Sequence, residues 1–332
     1  MGGDDNRRMT VHPDLAPPSA PTYPGGLCRL DDWGLIRASG PDALTFLNGQ
    51  LTQELKDLPE GEARLAGYCS AKGRLMASFL VWRSGPEELL LACSAELLPT
   101  TLKRLSMFVL RARCKLTDAR AELALWGWAG ALPGPGTVVS APWPGAAGQV
   151  TVSDDGLSCI RLPDVLGWQR ALLVAPATAA APVAGPALAA DDWRWLEVAS
   201  GVVRIVAPTV EQFVPQMVNL ELVGGVSFKK GCYPGQEVVA RSQYRGTLKR
   251  RGALLRSAVP LAAGQEVFQA QDPGQPAGMV ALAARSTQGD AHLALVELKL
   301  AALAAGDLHL GSADGPLLTP VALPYEVPQD AD

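Results

Sequence analysis

The residues of this chain best equipped for chemistry lie in one run, Lys229-Lys230-Gly231-Cys232-Tyr233-Pro234-Gly235-Gln236-Glu237, which continues through Val238 and Val239 to Ala240-Arg241. One thiol stands between a pair of lysines and a proline. Proline suits the first position of a helix, where its missing N–H would lack a partner anyway, so a helix is predicted to open at Pro234. Gln236 and Glu237 then fall in its first turn, a favourable place for a carboxylate. Cys232 would face the positive end of that helix with Lys229 and Lys230 beside it. Such surroundings bring a free cysteine from about 8.5 into the range of roughly 3.5–7.5. The expectation is an accessible, activated thiol; the competing expectation is a buried structural cysteine.

The elements that must position this run can be read along the chain. Residues 1–27 mix Gly, Asp and Pro with few large apolar groups and read as a disordered leader. A strand is predicted over Leu30–Arg37, then a helix from Pro41 capped by Ser39 or Gly40. Ala66–Cys69 and Leu75–Trp82 form a hairpin with Lys72 and Arg74 at its glycine tip. Glu88–Cys93 reads as a strand, Glu96–Val109 as a helix, and Cys114–Asp118 begins another strand. Between 119 and 190 short strands alternate with Gly- and Pro-rich turns, and Trp126, Trp128, Trp143 and Trp168 are expected to pack in the core. A helix is predicted over Asp191–Gly201, with the two aspartates as caps. Beyond Arg251, apolar segments at 253–255, 267–268, 279–284, 293–298 and 317–323 recur between turns, the pattern of a small antiparallel barrel or sandwich.

Composition narrows the function classes. At 48% hydrophobic and 19% charged residues in 332, the chain reads as a globular protein with room for two or three domains. A net charge of −4 argues against a general nucleic-acid binder. The six cysteines stand singly, with no CxxC pair, so no local zinc or iron–sulfur site and no compact disulfide framework is expected, and reduced thiols in the cytoplasm are the simplest reading. Ala171–Ala190 is uncharged but interrupted by Pro176, Pro182, Gly185 and Pro186, so it is not read as a membrane span. There is no GxGxxG after a strand, no GxxxxGK[ST] and no HExxH. His12, His292 and His309 lie far from Cys232 in sequence, which gives a Cys–His hydrolase little support.

The chain resembles the YgfZ family, the folate-binding proteins similar to the glycine-cleavage T-protein and tied to iron–sulfur cluster assembly or repair. The matching text is Leu30-Asp31-Asp32-Trp33, Gly40-x-Asp42-Ala43, Gly49-Gln50-Leu51-Thr52, Ala71-Lys72-Gly73-Arg74 and Phe213-Val214-Pro215-Gln216-x-x-Asn219-Leu220. The most specific block runs from Gly224 to Glu237 and carries Cys232, followed by Ala240-Arg241 and Lys249-Arg250. The resemblance implies an α+β, aminomethyltransferase-like folate-binding body over 28–250, in two subdomains, with a C-terminal antiparallel β-barrel over 251–328. It implies tetrahydrofolate or a derivative as cofactor, and iron–sulfur client or assembly proteins as partners, including the radical enzymes that thiomethylate tRNA. A monomer is expected, without direct contact to nucleic acid or membrane.

A folate needs aromatic faces for its flat rings, a few aimed hydrogen bonds and cations for its glutamate tail. Trp33 and Trp193 stand at positions matching the family and suit the flat parts; core packing is the other role open to them. Gln216 and Asn219 could pair with the pterin edge or satisfy backbone groups of their loop. Arg241, Arg245, Lys249, Arg250 and Arg251 supply cations, with Arg241 one helical turn after Glu237 and able to pair with it. Lys72 and Arg74 could face the same channel. Cys232 is expected near the bound folate, where it would ligate a cluster or sulfur species together with a partner's groups, or scavenge a reactive group. Two rival readings are a folate-dependent aminomethyl transferase, which would not need Cys232, and a folate-stabilised scaffold without turnover. The strand at Glu88–Cys93 runs into Cys93-Ser94 where the transferases carry an Asn-Ala pair, and Cys232 itself belongs to the YgfZ-type proteins.

Overall fold

The computed structural model describes residues 16–18, 25–131, 142–154, 156–179, 181–244, 248–288 and 290–328. The body opens with β1 (Gly26–Arg29) and β2 (Trp33–Ser39), passes the short helix α1 (Ala43–Asn48), and returns through β3 (Ala63–Cys69), β4 (Leu75–Gly85) and β5 (Glu88–Ser94). Helix α2 (Leu98–Met107) leads to β6 (Lys115–Asp118), β7 (Leu123–Ala129), β8 (Val150–Val152), β9 (Ser158–Val165) and β10 (Trp168–Pro176). Helices α3 (Ala190–Ala199) and α4 (Gln236–Tyr244) follow, separated by a long turn-rich segment. The strands form two antiparallel sheets, in the orders β3-β4-β5-β2-β6 and β1-β7-β10-β9-β8.

The period of two along each strand decides which core a side chain joins. In β2, Leu35 packs into the large core between the sheets while Ile36 and Ala38 pack into the core under α1 and α2. In β5, Leu90 and Ala92 point one way and Leu89, Leu91 and Cys93 the other. This sheet is therefore buried on both faces. The second sheet repeats the logic: Leu172 and Val174 join the large core, and Leu173 and Ala175 the outer one with Trp128. Trp128 stacks obliquely on Trp143 at 5.7 Å, the packing role expected of these rings.

The C-terminal part is a closed barrel of β11 (Arg250–Ser257), β12 (Glu266–Gln269), β13 (Gly278–Arg285), β14 (His292–Lys299), β15 (Leu308–Leu310) and β16 (Leu317–Val321), with α5 (Leu300–Ala305) between β14 and β15. The α+β body with an antiparallel barrel is thus as expected, while β15 and α5 were not. Both are too short for their periodicity to stand out.

Local boundaries moved for identifiable reasons. Gly26 and Leu27, at the end of the expected leader, form β1 and pair with Ala129 and Trp128 of β7. His12 and most of the expected leader lie outside the described residues, but the backbone oxygen of Ala16 accepts a hydrogen bond from Ala322 N beyond the barrel. Pro41 and Pro234 both sit in the turns ahead of their helices rather than inside them. Asp191 and Asp192 do not cap α3. Ala189 is at the cap, Asp191 pairs with Arg194, and Asp192 accepts from Thr287 of the barrel.

Candidate functional site

A cavity of about 360 Å³ opens between the two sheets, roofed by α3. Trp33 comes to it from the start of β2 and Trp193 from the first turn of α3. The two expected indoles thus line one room, although they are 160 residues apart. Trp193 reaches this position because β7 carries Gly127 beneath it. A methyl group at 127 would overlap the indole ring, so only glycine lets the ring lie flat on the strand. Arg170 lies over the Trp193 ring at 5.9 Å and Arg204 over Trp33 at 5.0 Å.

The polar atoms of this room are not all satisfied. The indole N–H of Trp33, that of Trp193 and the Nε–H of Arg161 are buried without an acceptor, and all three residues line the cavity. Buried donors of this kind are ordinarily paired, because leaving one unpaired costs about 1–3 kcal/mol. The remaining lining is mostly apolar, including Leu65, Leu80 and Val203. An apolar, aromatic-walled room with arginines in its wall can hold a flat heteroaromatic molecule, the description of a pterin. The residues present therefore fit a folate.

Residues that sequence reasoning passed over form the partition beside Trp33. Arg204 donates from Nε to Glu197 Oε1 at 2.6 Å and from Nη2 to Glu197 Oε2 at 3.2 Å and Asp32 Oδ2 at 3.0 Å. Its Nη1 also meets the Asp32 carbonyl oxygen at 3.2 Å. The two carboxylates hold the Arg204 guanidinium well above its ordinary range, against the effect of burial. Glu197 and Arg204 face a second cavity of about 390 Å³ on their other side, between the body and the barrel residues Leu261–Ala263. A signal was present: Arg204 is the one charge in the apolar run Val202-Val203-Arg204-Ile205-Val206, and charges in such runs are rarely buried unless paired.

Gln216 and Asn219 do not line the cavity. Gln216 Nε2 donates to the Val239 carbonyl at 2.8 Å, holding α4. Asn219, in the left-handed region at φ 58°, brackets Gly252 of the first barrel strand, donating to its oxygen at 2.8 Å and accepting from its N–H at 3.1 Å. Of the two roles open to them, both side chains take the second, fastening body, helix and barrel. Most of the cations are likewise engaged within the protein. Arg250 pairs with Glu297 at 2.7 Å, Arg251 with the buried Glu221, and Arg74 donates to the Gln212 carbonyl. Arg241 is exposed on the last turn of α4 and forms no ion pair with Glu237 among the described residues. Arg245 lies outside the described residues.

Cys232 occupies a different place. It is exposed, while the other five cysteines are unpaired and buried or half-buried. Lys229 is exposed, but Lys230 turns inward beneath the Tyr233 ring, 5.1 Å away. Its ammonium donates to the carbonyls of Asn48 and Leu51, both at 2.5 Å, and Gln53, at 3.1 Å. Burial pulls Lys230 down to about 8. The expectation that both lysines flank the thiol is therefore corrected for Lys230, which anchors the loop. Gly235, at φ 79°, meets Gly73, at φ 70°, so closely that a Cβ on Gly235 would lie 2.6 Å from Gly73 Cα. The loop is thus seated on the tip of the β3–β4 hairpin. The cavity begins at Ser78 on the same hairpin, roughly 15 Å along β4 from that tip. Cys232 is not among the residues lining the cavity. Among the described residues no group of three or more His, Cys, Asp or Glu is disposed to hold a metal ion.

Two sheets around an aromatic cavity, followed by a C-terminal barrel, make up an aminomethyltransferase-like fold. The glycine cleavage system aminomethyltransferase T from Bartonella henselae superposes with a TM-score of 0.68 at 16% identity, covering 92% of this chain and 87% of that one. No protein-family model matches. The tRNA-modifying protein YgfZ of Edwardsiella ictaluri is 32% identical over 319 residues, with 88% of this chain and 89% of the relative covered. That of Klebsiella pneumoniae is 34% identical over 255 residues, covering 73% and 75%. The chain belongs to the YgfZ family.

Proposed function

We propose that this protein is a folate-binding accessory factor for iron–sulfur enzymes, tRNA-modifying ones among them, and that tetrahydrofolate or a derivative occupies the cavity between Trp33 and Trp193. The observation that carries the reading is the trio of unpartnered donors, Trp33 Nε1, Trp193 Nε1 and Arg161 Nε, on residues lining one mostly apolar room. When bound, a folate would supply one-carbon chemistry at its reduced pterin. Trp33 and Trp193 would hold the flat rings, and the partition of Asp32, Glu197 and Arg204 would keep the indole of Trp33 in place. The link to tRNA modification rests on the names of the relatives. Six unpaired cysteines agree with a reducing, cytoplasmic setting.

Cys232 enters this reading as an outward-facing thiol that meets a partner's cluster or sulfur species. Its exposure, and its distance from the cavity, favour contact with another molecule over contact with the bound folate. The same separation supports a second reading, a folate-stabilised scaffold in which the thiol has no part. Titration with tetrahydrofolate tests the cavity. Saturable quenching of tryptophan fluorescence is expected, with affinity reduced at least about tenfold in Trp33→Ala; equal affinity in that variant would remove the folate assignment. Replacing the gene by a Cys232→Ala copy separates the roles. Loss of iron–sulfur enzyme activity alone supports the thiol, no loss supports the scaffold, and loss of glycine cleavage alone would mean a transferase.

A further inference from the structure

Six large apolar side chains lie exposed among the described residues, and three of them fall within four positions at the C-terminal end of α2: Met107, Phe108 and Leu110, at 58%, 45% and 86% exposure. Single exposed apolar residues are ordinary, whereas a cluster marks a contact surface. Leu110 is also held at φ 43°, a left-handed conformation that bulky side chains rarely adopt. The fold keeps a large apolar side chain in an unfavourable conformation where no part of the described chain covers it.

The charges carried by this segment are of one sign. From Leu97 to Lys115 the chain carries Lys103, Arg104, Arg111, Arg113 and Lys115 and no carboxylate, in a protein whose net charge is −4. Arg113 is paired with Asp42, and Arg104 lies beside the Tyr68 hydroxyl. Lys103, Arg111 and Lys115 are exposed and form no ion pair among the described residues. An apolar centre of Met and Phe with an arginine-rich polar rim is the composition of a protein–protein interface. Two copies of this chain would bring like charges together across such a face, which disfavours self-association. A nucleic acid would find the cations but gain little from methionine and leucine at the centre.

We propose that Met107, Phe108 and Leu110 form a docking knob for a protein partner whose complementary face is an apolar pocket or stripe rimmed by carboxylates. The surface lies outside the residues that line the folate cavity and does not depend on its assignment. The probe is a fluorescent amphipathic peptide, with leucine and phenylalanine along one helical face and glutamate along the other. Its anisotropy is followed at low and high salt beside an RNA duplex and vesicles containing phosphatidylglycerol. The expected result is saturable, salt-weakened binding of the peptide, at least about tenfold weaker in Leu110→Asp and in Lys103→Glu/Arg111→Glu. Both variants should keep the wild-type melting temperature, since the altered side chains are exposed. Leu110→Gly, which relaxes the backbone without adding charge, should bind between wild type and Leu110→Asp. The proposal is overturned if the peptide does not bind, if these variants bind it as wild type does, or if RNA or vesicles bind in preference and lose affinity with the same substitutions.

Discussion

The walls of the Trp33–Trp193 cavity come from strands of both sheets and from α3, whereas the Cys232 loop is a short contiguous run seated on one hairpin tip. The cavity depends on long-range packing: a glycine in β7 makes room for an indole from α3, and an arginine after α3 is locked by carboxylates from α3 and from the turn before β2. The loop depends on a few local fastenings, the Gly73–Gly235 contact and one lysine that satisfies three carbonyls. The two regions share the β3–β4 hairpin, one at its tip and the other farther along. The aromatic room and the exposed thiol can therefore be altered independently, and variants should show it.

The largest effect is expected from Arg204→Leu. Side-chain exposure at Arg204 and Glu197 is 9% each, so removing the guanidinium leaves a buried carboxylate without its cation. Breaking such a pair costs roughly 3–5 kcal/mol. Chemical denaturation should report a loss of that size, with folate binding abolished because Trp33 loses the group stacked on it. Alkylation of Cys232 in the folded variant should keep its wild-type rate. Arg204→Leu combined with Glu197→Leu should recover part of the stability, since the buried Glu197 carboxylate is then gone and Asp32 keeps Arg194. A loss below about 1 kcal/mol would mean the partition is not what holds this wall.

Much of this was legible in the sequence, and the failures have a pattern. Strands β2, β4 and β5 and the barrel announced themselves through alternation, turns and apolar runs, and Trp33 and Trp193 were singled out by position in matching text. What could not be read was the direction of polar side chains. Gln216, Asn219, Arg250 and Arg251 are of types that bind ligands, but Gln216 found a backbone group of α4, Arg250 a carboxylate on the neighbouring barrel strand, and Asn219 and Arg251 partners met where the barrel docks on the body. That docking is a tertiary event with no local signature. Lys230 misled in the same way, because its carbonyl acceptors lie about 180 residues earlier. Arg204 was the opposite case, a lone charge in an apolar run that did carry a local signal.

A smaller effect, confined to the loop, should follow from Lys230. Lys230→Met leaves buried carbonyls of Asn48 and Leu51 without a donor and should cost about 1–3 kcal/mol. The pH dependence has a defined sign. The folded-state value is drawn down to about 8 from 10.5, so between those values the unfolded chain holds a proton that the folded chain has released. Stability contributed by this site therefore rises with pH across that window, as the cost of burying the charge is lifted. Denaturation of wild type and Lys230→Met at stepped pH should show the gap between them widening from pH 8 upward. A gap that narrows would mean that the three carbonyls hold the ammonium charged more strongly than burial opposes it. In either case folate affinity should not change.

The smallest effect on the folded protein, and the sharpest test of the separation, belongs to Cys232→Ala. An exposed side chain that anchors nothing should cost no more than about 0.5 kcal/mol when shortened. Folate titration should be superimposable on wild type, because Cys232 does not line the cavity. Trp33→Ala should do the reverse, weakening folate while leaving thiol reactivity alone. If instead the cysteine variant shifts folate affinity, the loop and the cavity communicate through their shared hairpin. β4 is the natural carrier, since the Arg74–Gln212 contact and the Ser78 hydrogen bond to Ile205 tie it at two points to the segment that includes Arg204. Substituting Ser78→Ala would then separate the two cases. It removes the tie to Ile205 near the cavity while leaving the Gly73–Gly235 contact at the tip, so coupling carried by β4 should fall and coupling carried by direct contact should not.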